Sequence, residues 1–256
     1  MCLIVIGWRA HPEYPLVVAA NRDEFYTRPT ANAAPWPDAP QVFGGIDLEA
    51  GGTWLGITEA GRFAAVTNVR EPNMIKGISS RGQLPRDFLL SDNSAADYAS
   101  QIDGGQYSGF NLLLGDGASL IYCSNRNGQA RALPPGIYGL SNHMLDSPWP
   151  KLVQAREGFS QALQDMPGDE KFFHLLADQN IVADENLPQT GVPLAWERLL
   201  SAVFVQSESY GTRASTVLWQ GLDGTIRLHE KCFGEKGQPL QSSLISTSPC
   251  AGQRVR

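Results

Sequence analysis

The order of the predicted elements indicates an α+β fold with mainly antiparallel sheets. Strand-like segments follow one another in groups, helical segments do the same, and the regular strand–helix alternation of a parallel sheet is not present. Short links rich in Pro, Gly and polar residues join neighbouring strands, as at residues 10–15 and 59–62. Links of this length predict hairpins, in which the paired strands are antiparallel.

The first half of the chain predicts two hairpins separated by a loop. Apolar runs at residues 3–8 and 16–20 form the first hairpin, and short strands at residues 54–58 and 63–67 form the second. Residues 27–52 are dense in Pro, Gly and Ala and show neither the period of a strand nor that of a helix. We therefore expect this segment to be a long ordered loop or lid.

The remaining elements also come in groups of one kind. Residues 80–102 predict two helices, because apolar residues recur at helical spacing and the run Ser91-Asp92-Asn93-Ser94 supplies a break and a new cap. The other predicted elements, in chain order, are strands 111–114, 120–124 and 136–140, helices 150–163, 170–178 and 194–203, and strands 215–220, 225–231 and 243–247. Strands therefore occupy both ends of the chain.

Composition is typical of an ordinary globular protein. The chain has 256 residues, 42% hydrophobic and 18% charged, so we expect residues 1–256 to form one domain with ample material for a core. No apolar run approaches the roughly 18 residues that span a bilayer, and no signal peptide is evident. We expect a cytoplasmic protein without a transmembrane segment. A net charge of −6, without clustered Lys or Arg, argues against nucleic acid as a partner.

Several common kinds of site are absent from the sequence. There is no phosphate-binding Gly-Lys-Ser/Thr loop, no Gly-x-Ser-x-Gly elbow and no His-Glu-x-x-His helix. The cysteines form no Cys-x-x-Cys pair, and the histidines are too dispersed to suggest a metal site. These residues are Cys2, Cys123, Cys232 and Cys250, with His11, His143, His174 and His229. We expect free thiols, no metal and no required cofactor.

The second residue is the strongest candidate for a catalytic group. Cys2 directly follows Met1 and precedes the first apolar run. If Met1 is removed, Cys2 carries both a thiol and a free α-amine, whose reference pKa of about 7.7 to 8.0 suits it as a base for the thiol near neutral pH. The alternative is that Cys2 is a small buried residue of an apolar strand, which is the commonest role of a cysteine.

Polar side chains at the ends of predicted strands could complete a site around Cys2. Asp23 could orient the α-amine, and Arg22 could lower the thiol pKa or hold an anionic group. Asn68 and Asn142 each follow a predicted strand, and their amides are the kind of donor found in oxyanion holes. The alternatives are a solvated charge cluster for the first pair and ordinary turn residues for the asparagines.

Further candidates surround these residues in the sequence. Arg213 precedes a predicted strand and is either a site cation or a strand-edge charge. We expect Asn21, Arg22, Glu24 and Trp54 to contact a substrate. For the tryptophan, the alternative is an anchor of the core or of a loop.

Six runs of the sequence carry a family resemblance. The most specific are the Asn-Arg-Asp-Glu run of residues 21–24 and the Gly-Gly-Thr-Trp-Leu-Gly run of residues 51–56. The others are Met1-Cys2-Leu3-Ile4, Thr67-Asn68-Val69-Arg70, Leu140-Ser141-Asn142 and Gly211-Thr212-Arg213-Ala214-Ser215-Thr216. Together they resemble the NRDE family, also called the transport and Golgi organisation 2 family, over nearly the whole chain.

More distantly, the chain resembles the cysteine branch of the N-terminal-nucleophile hydrolases, such as penicillin V acylases and bile salt hydrolases. This resemblance implies a four-layer αββα fold and an amide-cleaving cysteine. By this resemblance, Cys2 is the nucleophile and Asp23 is the carboxylate that orients its amine. Asn68 and Asn142 belong to the oxyanion and substrate environment, and Arg213 lies near the nucleophile. One difference is that the acylases have Arg-Asn-x-Asp where residues 20–23 read Ala-Asn-Arg-Asp, so the arginine is displaced by two positions.

The leading hypothesis is an amidohydrolase in which Cys2 attacks a C–N amide bond of a small acylated substrate and forms a thioester. The resembling family is associated with haem trafficking and with lipid or acyl-CoA homeostasis. The alternative is therefore a carrier that binds haem or acyl-CoA in the same pocket without chemistry, although no cysteine precedes a proline and no histidine is an obvious axial ligand. A third hypothesis is an interaction protein on a degenerate hydrolase fold.

Overall fold

The computed structural model describes residues 2–72 and 76–247. The strands are β1 (Cys2–Trp8), β2 (Leu16–Phe25), β3 (Thr30–Trp36), β4 (Ala39–Asp47), β5 (Leu55–Thr58), β6 (Phe63–Asn68), β7 (Phe110–Gly115), β8 (Leu120–Ser124), β9 (Arg131–Ala132), β10 (Gly136–Leu140), β11 (Tyr210–Gln220), β12 (Ile226–Phe233) and β13 (Pro239–Ser246). The helices are α1 (Gln83–Leu90), α2 (Ala95–Ser100), α3 (Pro150–Ala162), α4 (Glu170–Leu176) and α5 (Leu194–Leu199). Within the described ranges, none of these helices has the length and apolar character needed to cross a membrane.

The first sheet has the strand order β10-β1-β2-β11-β12-β13, and every neighbouring pair is antiparallel. β1 and β2 form the predicted opening hairpin, in which Cys2 pairs with Arg22 and Trp8 with Leu16. β2 is longer than predicted, because it continues through residues 21–25 alongside β11. The Asn-Arg-Asp-Glu run therefore lies inside a strand and does not follow its end.

The second sheet has the order β3-β4-β5-β6-β7-β8-β9. The prediction of a loop or lid over residues 27–52 is wrong, because β3 and β4 occupy most of this segment. Pro35 is tolerated in β3 because that strand lies at the sheet edge. In β4, a Cβ atom on Gly44 would lie 2.6 Å from the carbonyl oxygen of Leu55. The residues that suggested a loop thus suit an edge strand and close strand packing.

Side chains of the central strands point alternately to the two faces of their sheet, and both faces are covered, which gives four layers. In β1, Ile4 and Ile6 face a core between the two sheets, whereas Leu3 and Val5 face a second core that includes α3 and α4. A third core lies between the second sheet and helices α1 and α2. The predicted α+β class and αββα arrangement are therefore confirmed.

The helices begin close to the predicted positions. The hydroxyl of Ser94 caps α2 by accepting a hydrogen bond from the backbone N–H of Asp97 (3.1 Å), as the predicted break between the first two helices requires. α4 and α5 end earlier than predicted. Side chains of α5 pack with Leu200, Val205 and Tyr210 in a small separate apolar cluster. This cluster places α5 beside the start of β11.

Candidate active site

Cys2 lies at the start of β1, on the face that points between the two sheets. It precedes Ile4 and Ile6 on that face, so its side chain lies at one end of the inter-sheet core. A cavity of about 130 Å³ adjoins it. The lining residues come from both sheets and from the segment before α1: Cys2, Arg22, Asp23, Glu24, Arg28, Asp47, Thr53, Trp54, Val66, Asn68, Ser80, Arg81 and Gly82. Six residues predicted from the sequence are among them, namely Cys2, Arg22, Asp23, Glu24, Trp54 and Asn68.

Neighbouring residues of the 21–24 run point to opposite faces of β2. Arg22 is in register with Cys2 on the cavity side, whereas Asn21 faces the helices. The Asn21 amide donates to the carbonyl oxygens of Leu176 (2.8 Å) and Val203 (2.9 Å), and its oxygen accepts from the hydroxyl of Ser215 (2.6 Å). We expected Asn21 to contact a substrate; instead it ties β2 to the end of α4, because its position in the strand turns it away from the cavity.

The Arg22 guanidinium lies between an aromatic ring and a carboxylate. It is 4.4 Å from the centre of the Trp54 ring, and its Nη2 lies 3.9 Å from Asp47 Oδ2. That oxygen already accepts a hydrogen bond from Arg28 Nε at 2.7 Å. Arg22 is 6% exposed, and its Nη1 has no hydrogen-bond partner among the described residues. Positions 20 and 22 share a strand face, so the two-residue displacement leaves the arginine on the cavity face, where Arg22 pairs with Cys2 and Ala20 pairs with Ile4.

Asp23 is buried on the inner side of the site. Its Oδ1 accepts from the Thr212 hydroxyl at 2.8 Å, and its backbone oxygen accepts from the Tyr210 hydroxyl at 3.1 Å. Burial raises the pKa of Asp23, while Lys151 and Arg22 act in the opposite direction. Burial lowers the pKa of Lys151 to about 8. Asp23 is thus a buried carboxyl group on which desolvation and nearby positive charge act in opposite directions.

The two predicted asparagines differ in their relation to the cavity. Asn68, at the end of β6, lines it, whereas Asn142 is fully buried behind β10. The Asn142 amide donates to the backbone oxygen of Asn68 at 3.1 Å, and the Ser141 hydroxyl donates to Asn142 Oδ1 at 3.3 Å and to the backbone oxygen of Cys2 at 3.0 Å. Asn68 therefore lines the cavity, and Asn142 holds the backbone of Asn68 in position.

Arg213 does not line the cavity in the described part of the chain. It lies at an irregularity of β11, where the register with β2 shifts between Thr212 and Ala214. Its Nη1 donates to the carbonyl oxygens of Phe25 (3.0 Å) and Arg28 (2.9 Å). These two hydrogen bonds hold the end of β2, so the Arg213 guanidinium is engaged there and not at the cavity wall beside Cys2.

Arg81 is a cavity residue that the sequence did not reveal. It lies just before α1, and its Nη1 donates to the carbonyl oxygen of Gly109 at 3.1 Å. Nothing in the run Ser80-Arg81-Gly82 distinguishes it from an ordinary polar turn ahead of a helix. Only the approach of this segment to the start of β1 makes it part of the site.

The state of the thiol decides what this arrangement can do chemically. Burial raises the pKa of Cys2, Asp23 acts in the same direction, and Arg22 opposes them. The thiol is therefore protonated near pH 7 and needs a base to become a nucleophile. None of the described residues lining the cavity is a histidine, and no group of three or more described His, Cys, Asp or Glu is arranged to hold a metal. A free α-amine on Cys2 would be such a base.

Comparisons with known proteins agree with this architecture. The family model described as Transport and Golgi organisation 2 matches residues 1–235. The chain is similar to the Transport and Golgi organization protein 2 homolog of Bos taurus, at 36% identity over 255 residues that cover 90% of this chain and 92% of the relative. The homolog of Homo sapiens is 34% identical over 260 residues, covering 92% and 94%. Among solved structures, the Caenorhabditis elegans N-acylethanolamine-hydrolyzing acid amidase (NAAA) ortholog has a similar fold, with a TM-score of 0.51 at 14% identity, covering 85% of this chain and 92% of that chain.

Proposed function

This chain belongs to the Transport and Golgi organisation 2 family, as its motifs predict, and we propose that it is a cysteine amidohydrolase of the N-terminal-nucleophile type. Its substrate is a small acylated molecule, whose C–N amide bond Cys2 cleaves through a thioester. One observation carries the proposal: the Cys2 thiol adjoins a cavity whose other walls supply an amide donor, cations and carboxyl groups.

The proposed chemistry begins with the removal of Met1, which gives Cys2 a free α-amine. The amine takes the thiol proton, Sγ attacks the carbonyl carbon, and the C–N bond breaks as that proton passes to the leaving amine. The α-amine then takes a proton from water, the water oxygen attacks the thioester, and the C–S bond breaks as the proton returns to Sγ. Asn68 donates to the carbonyl oxygen as negative charge develops, and Asp23 orients the α-amine.

The raised pKa of Cys2 supports this order of events. A thiol whose pKa is raised by desolvation does not ionise by itself at neutral pH, so a nucleophile at this position depends on an adjacent base. In the proposal, the residue acquires its base through the loss of Met1. An intact Met1 would leave the thiol without that base.

Intact mass before and after treatment with a cysteine-directed electrophile tests the nucleophile. We expect a mass that lacks Met1 and rapid addition of one label, which is lost in Cys2→Ala and retained in Cys123→Ala. Cys123 is a matched control, because burial raises its pKa to about 12. Retention of Met1 together with an unreactive Cys2 would contradict the proposal.

Hydrolysis of N-acyl amides tests the reaction itself. Because the structural neighbour is named as an N-acylethanolamine-hydrolysing amidase, N-acylethanolamines and N-acyl amino acids of equal chain length form the first screen. Released fatty acid, measured by mass spectrometry, should depend on Cys2. Hydrolysis of a verified substrate that survives Cys2→Ala in full would exclude the mechanism.

A second candidate function is binding of haem or acyl-CoA without chemistry. The Cys2 cavity, at about 130 Å³, is smaller than the roughly 300–1,000 Å³ typical of small-molecule pockets, so it encloses neither ligand. A larger cavity of about 620 Å³ adjoins α2 and β8, and Ala99, Phe110 and Ile121 give it an apolar wall. This second cavity is the observation that favours a carrier of an acyl chain.

Equilibrium titration with haem and with acyl-CoA separates the two functions. The carrier would be favoured by stoichiometric binding without turnover. That binding should be weakened by Ala99→Phe, which fills the larger cavity, and unaffected by Cys2→Ala. Turnover that depends on Cys2 and tolerates Ala99→Phe would favour the hydrolase.

A further inference from the structure

Two arginines beside Cys2 have no carboxylate at hydrogen-bond distance among the described residues. The contact of Arg22 with Asp47, at 3.9 Å, is too long for a hydrogen bond, and Arg22 Nη1 has no partner in the described ranges. Arg81 donates to a neutral acceptor, the carbonyl oxygen of Gly109. Burial lowers the pKa of Arg81, as expected for a cation without a direct counter-ion. The lining as a whole carries three arginines and three carboxyl residues, but Arg22 and Arg81 keep N–H groups that a bound anion could accept from.

The carboxylates of the same cavity are already engaged by other donors. Asp47 Oδ2 accepts from Arg28 Nε, and its Oδ1 accepts from the backbone N–H of Ala50 at 3.0 Å. Glu24 Oε1 accepts from the backbone N–H of Phe25 at 2.9 Å. Asp23 Oδ1 likewise accepts from the Thr212 hydroxyl, so none of these contacts uses an N–H group of Arg22 or Arg81.

We propose that this cavity binds a carboxylate attached close to the scissile amide, so that the substrates are N-acyl amino acids. The inference rests on the proposed function of the same site. Arg22 is the direct cross-strand partner of Cys2, and such partners have Cβ atoms about 5 Å apart. Both residues line the same cavity of about 130 Å³, so an anion held by Arg22 lies in the cavity that the thiol adjoins. The planar guanidinium, fixed over Trp54, matches the two oxygens of a carboxylate.

The size of the cavity indicates where the acyl chain lies. A volume of about 130 Å³ admits the polar end of such a substrate and excludes a long chain. The carboxylate end enters the cavity, and an acyl chain longer than the cavity extends outside it.

Binding to the Cys2→Ala protein tests the inference without depending on catalysis. Calorimetry compares N-octanoylglycine with N-octanoylethanolamine, which have the same acyl chain and differ in a carboxylate against a hydroxymethyl group. We expect N-octanoylglycine to bind at least about tenfold more tightly, because hydrogen bonds to charged groups are stronger than neutral ones. Arg22→Gln and Arg81→Gln, each in the Cys2→Ala background, should reduce this preference to less than about threefold.

Two controls keep the result interpretable. Arg86→Gln removes an exposed arginine that does not line the cavity, so the preference should be retained. Thermal unfolding identifies any variant that fails to fold. If Arg22→Gln does not fold, the binding preference is measured in Arg22→Lys and Arg81→Gln instead. Equal affinity for the two amides, binding of neither, or a preference that survives both glutamine variants would overturn the inference. Those outcomes would leave the nucleophilic role of Cys2 to its own labelling test.

Discussion

Replacing Glu197 by Gln is expected to destabilise the protein much more than breaking a partly exposed ion pair. Arg70 Nη1 and Glu197 Oε2 lie 2.7 Å apart, and the two side chains are 1% and 6% exposed. The other carboxylate oxygen of Glu197 accepts from the backbone N–H (2.8 Å) and the hydroxyl (2.5 Å) of Thr190. The backbone N–H of Arg70 donates to the carbonyl oxygen of Asn142. This buried pair therefore joins α5 to the asparagines behind the cavity.

The magnitude follows from the burial of the pair. Removing one partner of a buried ion pair costs about 3–5 kcal/mol, because the remaining charge is left uncompensated. Nε and Nη2 of Arg70 have no hydrogen-bond partner among the described residues, so no second acceptor is in place to take over. At about 2–4 °C per kcal/mol for a chain of this size, Tm should fall by about 6–20 °C. The matched control, Glu71→Gln, breaks a more exposed pair with Arg126 and should cost less than about 1 kcal/mol.

Urea unfolding followed by tryptophan fluorescence measures these free energies. Arg70→Met, Glu197→Gln and the double variant complete a double-mutant cycle. We expect the double variant to lose less stability than the sum of the single changes, since it contains no unpaired buried charge. A loss in Glu197→Gln no larger than in Glu71→Gln, or additive single effects, would refute this reasoning.

Three further measurements test how buried groups support the site. Burial raises the pKa of Glu230 above its ordinary value of 4.5. The folded protein therefore binds the carboxyl proton of Glu230 more tightly than the unfolded chain does. As pH rises through the raised pKa, that proton is lost and the folded state loses stability. Glu230→Gln should remove that loss in urea titrations run from pH 4.5 upward, and an unchanged profile would count against it. Gly52→Ala would place its Cβ against the carbonyl group of Gly82, so Tm and the rate of Cys2 labelling should fall. Gly158→Ala, inside α3 and with only a 3.6 Å contact, should raise Tm slightly through its higher helix propensity and leave the labelling rate unchanged. In protein that retains Met1, alkylation of Cys2 at neutral pH should be slower than in the urea-unfolded chain, because burial raises the thiol pKa; equal rates would contradict this.

Local patterns in the sequence were sufficient for much of the first sheet and for several helices. The apolar runs around residues 10–15 predicted the opening hairpin, and the polar run at residues 91–94 predicted the break before α2. Antiparallel sheets followed from the grouping of elements. These features depend on neighbours in the sequence, so composition and periodicity reveal them. The four layers, by contrast, were implied by the family resemblance.

Other features were misjudged because their local signals are ambiguous. Proline and glycine suggested a loop over residues 27–52, yet Pro35 suits an edge strand and Gly44 a close approach of two backbones. The second strand was predicted to end at residue 20, which hid the alternation that separates Asn21 from Arg22. An error of a few residues at a strand end therefore changed which side chains were expected to share a site.

By itself the sequence determined the class of fold, the candidate nucleophile Cys2 and the polar runs from which a site could be built. The tertiary structure decided which members of those runs meet. It brought Arg81 to the cavity, turned Arg213 away from it, and paired Arg70 with Glu197 across 127 positions of the chain. The physical reason is that these contacts arise from the packing of sheets and helices distant in sequence, and no local preference of a residue specifies its partner at that range.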